Sequence, residues 1–192
     1  MPFSPTNHCH LQAMHNPTIR NAQIPDVSAL AEIIVSSFYH NSGIFSLLHP
    51  LLQLTISEDL RYRLRFSPPL YECLVATLVE PNSESLIAGT VEIALPKSFW
   101  TALPQYPYIS NLAVKNAHRR KGVANKLLNQ CEQIALKWGY DAIQLHVLEH
   151  NASAKRLYLN RGYQIIRKEV HWDGFFNPNS SRLLLRKKIS DV

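Results

Sequence analysis

The stretch from Leu112 to Ala124 constrains this chain more than any other. Leu112, Ala113 and Val114 run into Lys115-Asn116-Ala117-His118, then the basic triplet Arg119, Arg120 and Lys121, and Gly122 leads straight into Val123-Ala124. From there Val123, Leu127, Leu128, Cys131, Ile134 and Ala135 recur at helical spacing. Gly139 stands where a left-handed residue closes a helix. The pattern reads as strand, basic loop, glycine, helix. A helix start exposes unpaired N–H groups and the positive end of the macrodipole. Gly122 and Ala124 carry almost no side chain, so a diphosphate has room to approach the backbone, and Arg119 and Lys121 add charge at the mouth. By itself the pattern also fits an ordinary helix entry with solvated bases.

The rest of the chain alternates strands and helices around this segment. Residues 17–22 read as a short strand, and Pro25-Asp26-Val27 opens a helix to about Tyr39 with Val27, Leu30, Ala31, Ile34 and Phe38 on one face. Phe38 to Pro50 reads as a connection and Leu51 to Phe66 as a second helix. Tyr71 to Val79, Leu86 to Leu95 and Tyr106 to Val114 are strands, the first two separated by the turn signal Pro81-Asn82-Ser83. The helix from Val123 to Trp138 follows, then a strand from Ala142 to Leu148 and a helix from Asn151 to Arg161 stopped by Gly162. Strands from Tyr163 to Trp172 and from Arg182 to Lys188 complete the order. This predicts an α/β (α+β) fold, a mixed sheet flanked by helices, with residues 1–16 as a flexible tail and 17–192 as one domain.

Composition narrows the function classes. Twenty Lys and Arg against 14 Asp and Glu give a formal charge of +6, which favours anionic partners. No long basic block marks a nucleic-acid arm, so nucleic acid is not expected. Cys9, Cys73 and Cys131 are odd in number and lack metal-ligand spacing, which points to a reducing compartment and to no metal. His8, His10 and His15 near the start have nothing nearby to complete a coordination sphere. No apolar run approaches the roughly 20 residues that span a bilayer, and the first residues lack the apolar centre of a secretory signal. The expected setting is cytoplasmic, with the plastid stroma as the alternative.

Two motifs together resemble the GNAT superfamily of N-acetyltransferases. Arg119-Arg120-Lys121-Gly122-Val123-Ala124 fits the family's R/Q-x-x-G-x-G/A signature, and Asn111-Leu112-Ala113-Val114 looks like its fourth strand. Asn116 stands where relatives often carry proline. Independently, Asn151-Ala152-Ser153-Ala154-Lys155-Arg156-Leu157-Tyr158, followed by Arg161-Gly162-Tyr163, matches the family's Asn-to-Tyr helix and its closing glycine-aromatic pair. The resemblance implies a mostly antiparallel sheet with splayed strands 4 and 5, about four helices, and acetyl-CoA as acyl-donor co-substrate with no metal. It implies cofactor binding by Leu112, Ala113, Val114, Arg119, Arg120, Lys121, Gly122, Val123, Ala124, Asn151 and Tyr158. Asn151 would contact the pantetheine arm, although Asn is also among the best helix N-caps. The main chain of Leu112 to Val114 would serve the developing oxyanion. The Tyr158 hydroxyl would face the departing sulfur as general acid, its ordinary pKa of about 10 keeping it protonated near neutrality.

The implied reaction is transfer of acetyl to a primary amine (a protein N-terminus, lysine or small amine) by direct attack in a ternary complex. A monomer or a homodimer would serve. Cys131 lies on a buried helix face and reads as a small core hydrophobe, not a nucleophile. Where some relatives carry a base glutamate, on the fourth or fifth strand, this chain has Tyr108 and His146. His146, opposite the apolar Leu145/Val147 face, is the candidate base or a structural histidine; Glu92 and Glu149 are weaker candidates. The absence of carboxylates at both positions leaves open a non-catalytic acyl-CoA-binding module within a complex. Deprotonating lysine near pH 7.5 costs about 4 kcal/mol, an α-amine under about 1 kcal/mol, so a weak base sits more easily with an α-amine. An aromatic rim of Phe38, Tyr39 and Phe45 facing His171, Trp172, Phe175 and Phe176 is the implied acceptor pocket, with Phe38, Tyr39 and Trp172 its leading members.

Overall fold

A computed structural model describes residues 16–38, 43–78, 85–96, 105–170 and 181–190, with backbone alone at 43–48 and 170. The expected tail up to its last residue, the turn at 81–83, and Tyr39, His171, Trp172, Phe175 and Phe176 lie outside the described residues, as does the side chain of Phe45. Among the described residues seven strands form one sheet: β1 (Thr18–Asn21), β2 (Tyr71–Leu78), β3 (Leu86–Ala94), β4 (Tyr108–Val114), β5 (Ala142–Leu148), β6 (Gln164–Val170) and β7 (Ser181–Lys188). Their order is β1-β2-β3-β4-β5-β7-β6. β1 and β2, β5 and β7, and β6 and β7 pair antiparallel, whereas β4 and β5 run parallel through Tyr108↔Gln144 and Ile109↔Leu145. The expected mixed, mostly antiparallel sheet is therefore what forms. Among the described residues four helices accompany it: α1 (Val27–Phe38), α2 (Gly43–Phe66), α3 (Val123–Lys137) and α4 (Ala152–Asn160).

By contacts the described residues group into two compact units, one reaching to Glu92 and including Asn111–Gln130, the other holding Ile93–Ser110 and the chain from Cys131 onward. In the first, α1 buries Val27, Leu30, Ile33 and Ile34 in a cluster with Leu60 of α2, Cys73 and Val75 of β2, Ile87 of β3 and Ala113 of β4. Each such aliphatic side chain contributes about 1.5–3 kcal/mol by leaving water. Cys73 to Leu78 and Ile87 to Ile93 are buried without alternation, the signature of central strands covered on both faces. At the entry to α1, both carboxylate oxygens of Asp26 accept from the Arg20 guanidinium, and Oδ2 also accepts from the Gln23 N–H at 2.8 Å.

In the second unit, Leu145 and Val147 of β5 stand in register with Leu185 and Leu183 of β7, all four buried. Tyr158 of α4 meets Tyr163 edge-on, ring centroids 5.7 Å apart. Glu132 of α3, itself buried, accepts from Arg161 at 2.9 Å and from Lys187 at 2.8 Å, so its charge is paired from two sides. Cys131, Ile134 and Ala135 are fully covered, in keeping with Cys131 as a core residue.

Two readings need correction. The second helix starts at Gly43, not Leu51, and carries Pro50 in its interior. Proline lacks the N–H that an interior turn uses, so the sequence signals a break that the backbone here absorbs. Phe38, assigned to the buried face of α1, is 52% exposed, while Ile33 and Val35 are buried. As the last residue of α1, Phe38 has the right angle but not the cover. Other element ends shift by a residue or two, as terminal turns commonly do.

Candidate active site

The basic loop adopts an unusual backbone. After β4, a 3-10 turn over Asn116–His118 leads to Arg119, which is extended at φ −66° and ψ 155°. Arg120 and Gly122 then both take positive φ, 60° and 78°. Arg120 is a costly residue to place there, and Gly122 is the one that fits without strain. Turns of this type, feeding a helix N-terminus, gather N–H groups into an anion-binding concavity. Arg119, Arg120, Lys121 and Gly122 are exposed, Val123 is buried and Ala124 half-buried. A Cβ built on Gly122 meets no atom within 4 Å, so space lies open above the loop. The Arg119 Nε donates to the Val114 carbonyl at 3.1 Å, closing the loop onto the end of β4.

β3 holds the last residues of β4 closely. The Lys115 N–H donates to the Ala88 carbonyl at 2.9 Å. A Cβ on Gly89 would lie 2.8 Å from the Ala113 carbonyl oxygen and 3.2 Å from side-chain carbons of Val114 and Val123. Gly89 therefore lets the main chain of Leu112, Ala113 and Val114 pass where any larger residue would push it away.

The second unit brings three side chains into a line. The Tyr108 hydroxyl lies 3.0 Å from Nδ1 of His146, and Nε2 of His146 lies 3.0 Å from Oε2 of Glu169. Glu169 is held by Arg167 at 2.7 Å and Arg182 at 3.3 Å. Burial outweighs the pull of Glu169 and holds the His146 pKa below its ordinary value. The ring is therefore neutral near pH 7, and the bonding pattern fits one tautomer: Nε2–H donates to Glu169 and Nδ1 accepts from Tyr108. Burial in turn raises the pKa of the Tyr108 hydroxyl.

Tyr158, 7% exposed, has its pKa raised by burial first and by the neighbouring Tyr108 and Cys131 next, so it keeps its proton across the neutral range. The Asn151 side chain caps α4 by accepting from the Ala154 N–H at 3.0 Å, which leaves its Nδ2 as the donor for any other partner. Of the remaining base candidates, Glu149 pairs with Lys168 at 2.7 Å at an exposed position. Glu92 is 1% exposed and its carboxylate takes three donors: Asn111 Nδ2 at 2.6 Å, Tyr71 hydroxyl at 2.7 Å, and Arg63. Among the acceptor candidates only Phe38 falls within described side chains, at the exposed end of α1. Among the described residues no cluster of His, Cys, Asp and Glu suits a metal ion, and no helix is long and apolar enough to cross a membrane.

Residues 45–163 match the model of the Acetyltransferase (GNAT) family. The chain belongs to the GNAT family. GNAT relatives include GCN5-related N-acetyltransferase 10, chloroplastic, of Arabidopsis thaliana, 31% identical over 147 residues that cover 72% of this chain and 57% of the relative. The thialysine N-epsilon-acetyltransferase of Bos taurus is 30% identical over 138 residues, 70% of this chain and 81% of that protein. The chain spans about half the length of the chloroplastic relatives it matches. In fold it is similar to the PaiA N-acetyltransferase of Thermoplasma acidophilum, solved in complex with coenzyme A, with a TM-score of 0.66, 20% identity, and coverage of 90% of this chain and 99% of that one.

Proposed function

We propose that this GNAT protein transfers the acetyl group of acetyl-CoA to a primary amine by direct attack in a ternary complex. The observation that supports it best is the Tyr108–His146–Glu169 line, which supplies the proton acceptor that the two missing carboxylates would otherwise provide. In this reading the diphosphate is held by the main chain and charges of Arg119 to Ala124, and the pantetheine arm by Leu112 to Val114. Acetyl-CoA brings the thioester. The chain brings the proton handling.

Tyr108 gives its hydroxyl proton to Nδ1 of His146 as it takes one from the attacking nitrogen. The imidazolium so formed faces Glu169, whose carboxylate at 3.0 Å compensates the new charge. Tyr158 holds a proton for the sulfur. A phenol whose pKa stands above about 10 is a weaker acid than a thiol near 8.5, so complete transfer to sulfur runs uphill. The hydroxyl therefore acts mainly as a hydrogen-bond donor that strengthens as charge builds, with the final proton coming from solvent. The amine loses one proton and gains acetyl, the imidazolium passes that proton on to solvent, and coenzyme A leaves as the thiol with a proton taken from solvent.

A histidine with a lowered pKa is ready to accept at neutral pH but is a weak base. That favours an amine that sheds its proton cheaply, an α-amine or a small amine of low pKa, over lysine, which costs about 4 kcal/mol more than a neutral amine to prepare. The chloroplastic relatives favour the plastid stroma over the cytoplasm as the setting. The test is mass-resolved detection of acetylated product from acetyl-CoA with three acceptor sets: free N-terminal peptides, N-blocked lysine peptides, and small amines. Acetylation of the first or third set in preference to the second is expected; no product in any set would refute the reading.

A further inference from the structure

Among the described residues of the first unit Glu92 is the most deeply buried carboxylate, 1% exposed, and a buried carboxylate is costly unless fully bonded. Its bonding is complete and drawn from three elements: Arg63 of α2, Tyr71 of β2 and Asn111 of β4. Arg63 is itself held by Asp59 one turn earlier on α2. The Asn111 end of this network has its own peculiarity. Asn111 takes φ 52° in the middle of a strand, a left-handed conformation that asparagine enters more readily than other non-glycine residues but that interrupts the extended path of the strand. Such a conformation persists only where its surroundings over-determine it. The Asn111 side chain, for its part, is tied to Glu92 by a 2.6 Å bond from Nδ2 to Oε1.

We infer that Glu92 is a positioning residue: its carboxylate latches Asn111 in the left-handed conformation and so fixes the path of the main chain at Leu112 to Val114. The same stretch is pinned further along by Gly89 and by the Lys115 to Ala88 bond, so β3 acts as a template along the whole second half of β4. Glu92 thereby serves the donor site without touching substrate. This inference rests on the proposed reading only in giving that main-chain segment to acetyl-CoA.

The test exchanges the two groups. Asn111→Asp sets two carboxylates against each other and breaks the latch. Adding Glu92→Gln restores it with the direction reversed, Gln Nε2 donating to the new Asp while Gln Oε1 still accepts from Tyr71 and Arg63. Amide hydrogen exchange at residues 112–115 is measured on the free proteins, alongside acetyl-CoA affinity and thermal unfolding. The latch predicts at least tenfold faster exchange at these amides in Asn111→Asp, recovery in the double variant, and about tenfold weaker acetyl-CoA binding that recovers in parallel. Unchanged exchange in Asn111→Asp, or a double variant as unprotected as the single, would overturn it. Should Asn111→Asp not fold, Asn111→Gly tolerates the left-handed backbone and tests the same loss of protection. If the natural chain fails to bind acetyl-CoA, the proposed function falls, and the exchange data still decide the latch.

Discussion

The hydroxyl of Tyr108 stands 3.0 Å from Nδ1 of His146, while the opposite ring nitrogen is occupied by Glu169. In the proposed mechanism His146 therefore takes the amine's proton through Tyr108. Replacing Tyr108 by Phe removes the first proposed carrier of the proton and leaves the imidazole tilted against an aromatic ring. A fall in kcat of about 10²-fold is expected, the lower end for general acid–base groups. The acetyl-CoA dissociation constant should be unchanged by calorimetry.

The pH dependence has a definite sign. His146 has a pKa lowered from its ordinary 6.5, so with an acceptor that is uncharged over the range, kcat should be flat near neutrality and fall only as pH drops through a value below 6.5. Glu169 pulls that pKa upward. Glu169→Gln should therefore move the acid limb to still lower pH while also lowering the plateau. Stopped-flow rates from about pH 4.5 to about pH 8 decide both points.

Tyr158→Phe should lower kcat by about tenfold to a hundredfold and leave acetyl-CoA affinity nearly unchanged, because a donor to developing charge matters little before charge develops. Unchanged turnover would remove Tyr158 from the mechanism. Its ring packing against Tyr163 is kept in the variant, so unfolding temperature should hold.

Two glycines should fail for different reasons. Gly89→Ala drives a Cβ against the Ala113 carbonyl and is expected to cost about 1–3 kcal/mol of stability with weakened donor binding. Gly122→Ala meets no atom but must hold φ 78°, a conformational cost of about 1 kcal/mol. Denaturant unfolding separates the two.

Much of this was legible in the sequence because local rules carried it. The Val123 helix face, its Gly139 stop at φ 84°, and the Asn151 cap all follow from spacing and residue type, and the described structure has them. Tyr108 could be placed at the position of a missing glutamate, but no chemistry could be given to it. Its partnership with His146 needs the β4–β5 register, and Glu169 reaches His146 across β7, a relation among strands far apart in sequence. Glu92 was visible as an acid in an apolar strand and hence as a weaker base candidate. Its three donors come from α2, β2 and β4, and only folding brings them together. Pro50 misled because a local rule was strong and wrong there.

The most direct test of the whole account is the timing of thiol release. The purified chain is mixed with acetyl-CoA, with and without a reactive amine, and free coenzyme A, acetylated amine and the intact mass of the protein are followed together. Direct attack assisted by the Tyr108–His146 pair predicts thiol only when amine is present, one acetylated amine for each thiol, and no acetyl on the protein. Thiol released as a burst without amine, with an acetylated protein, would contradict it.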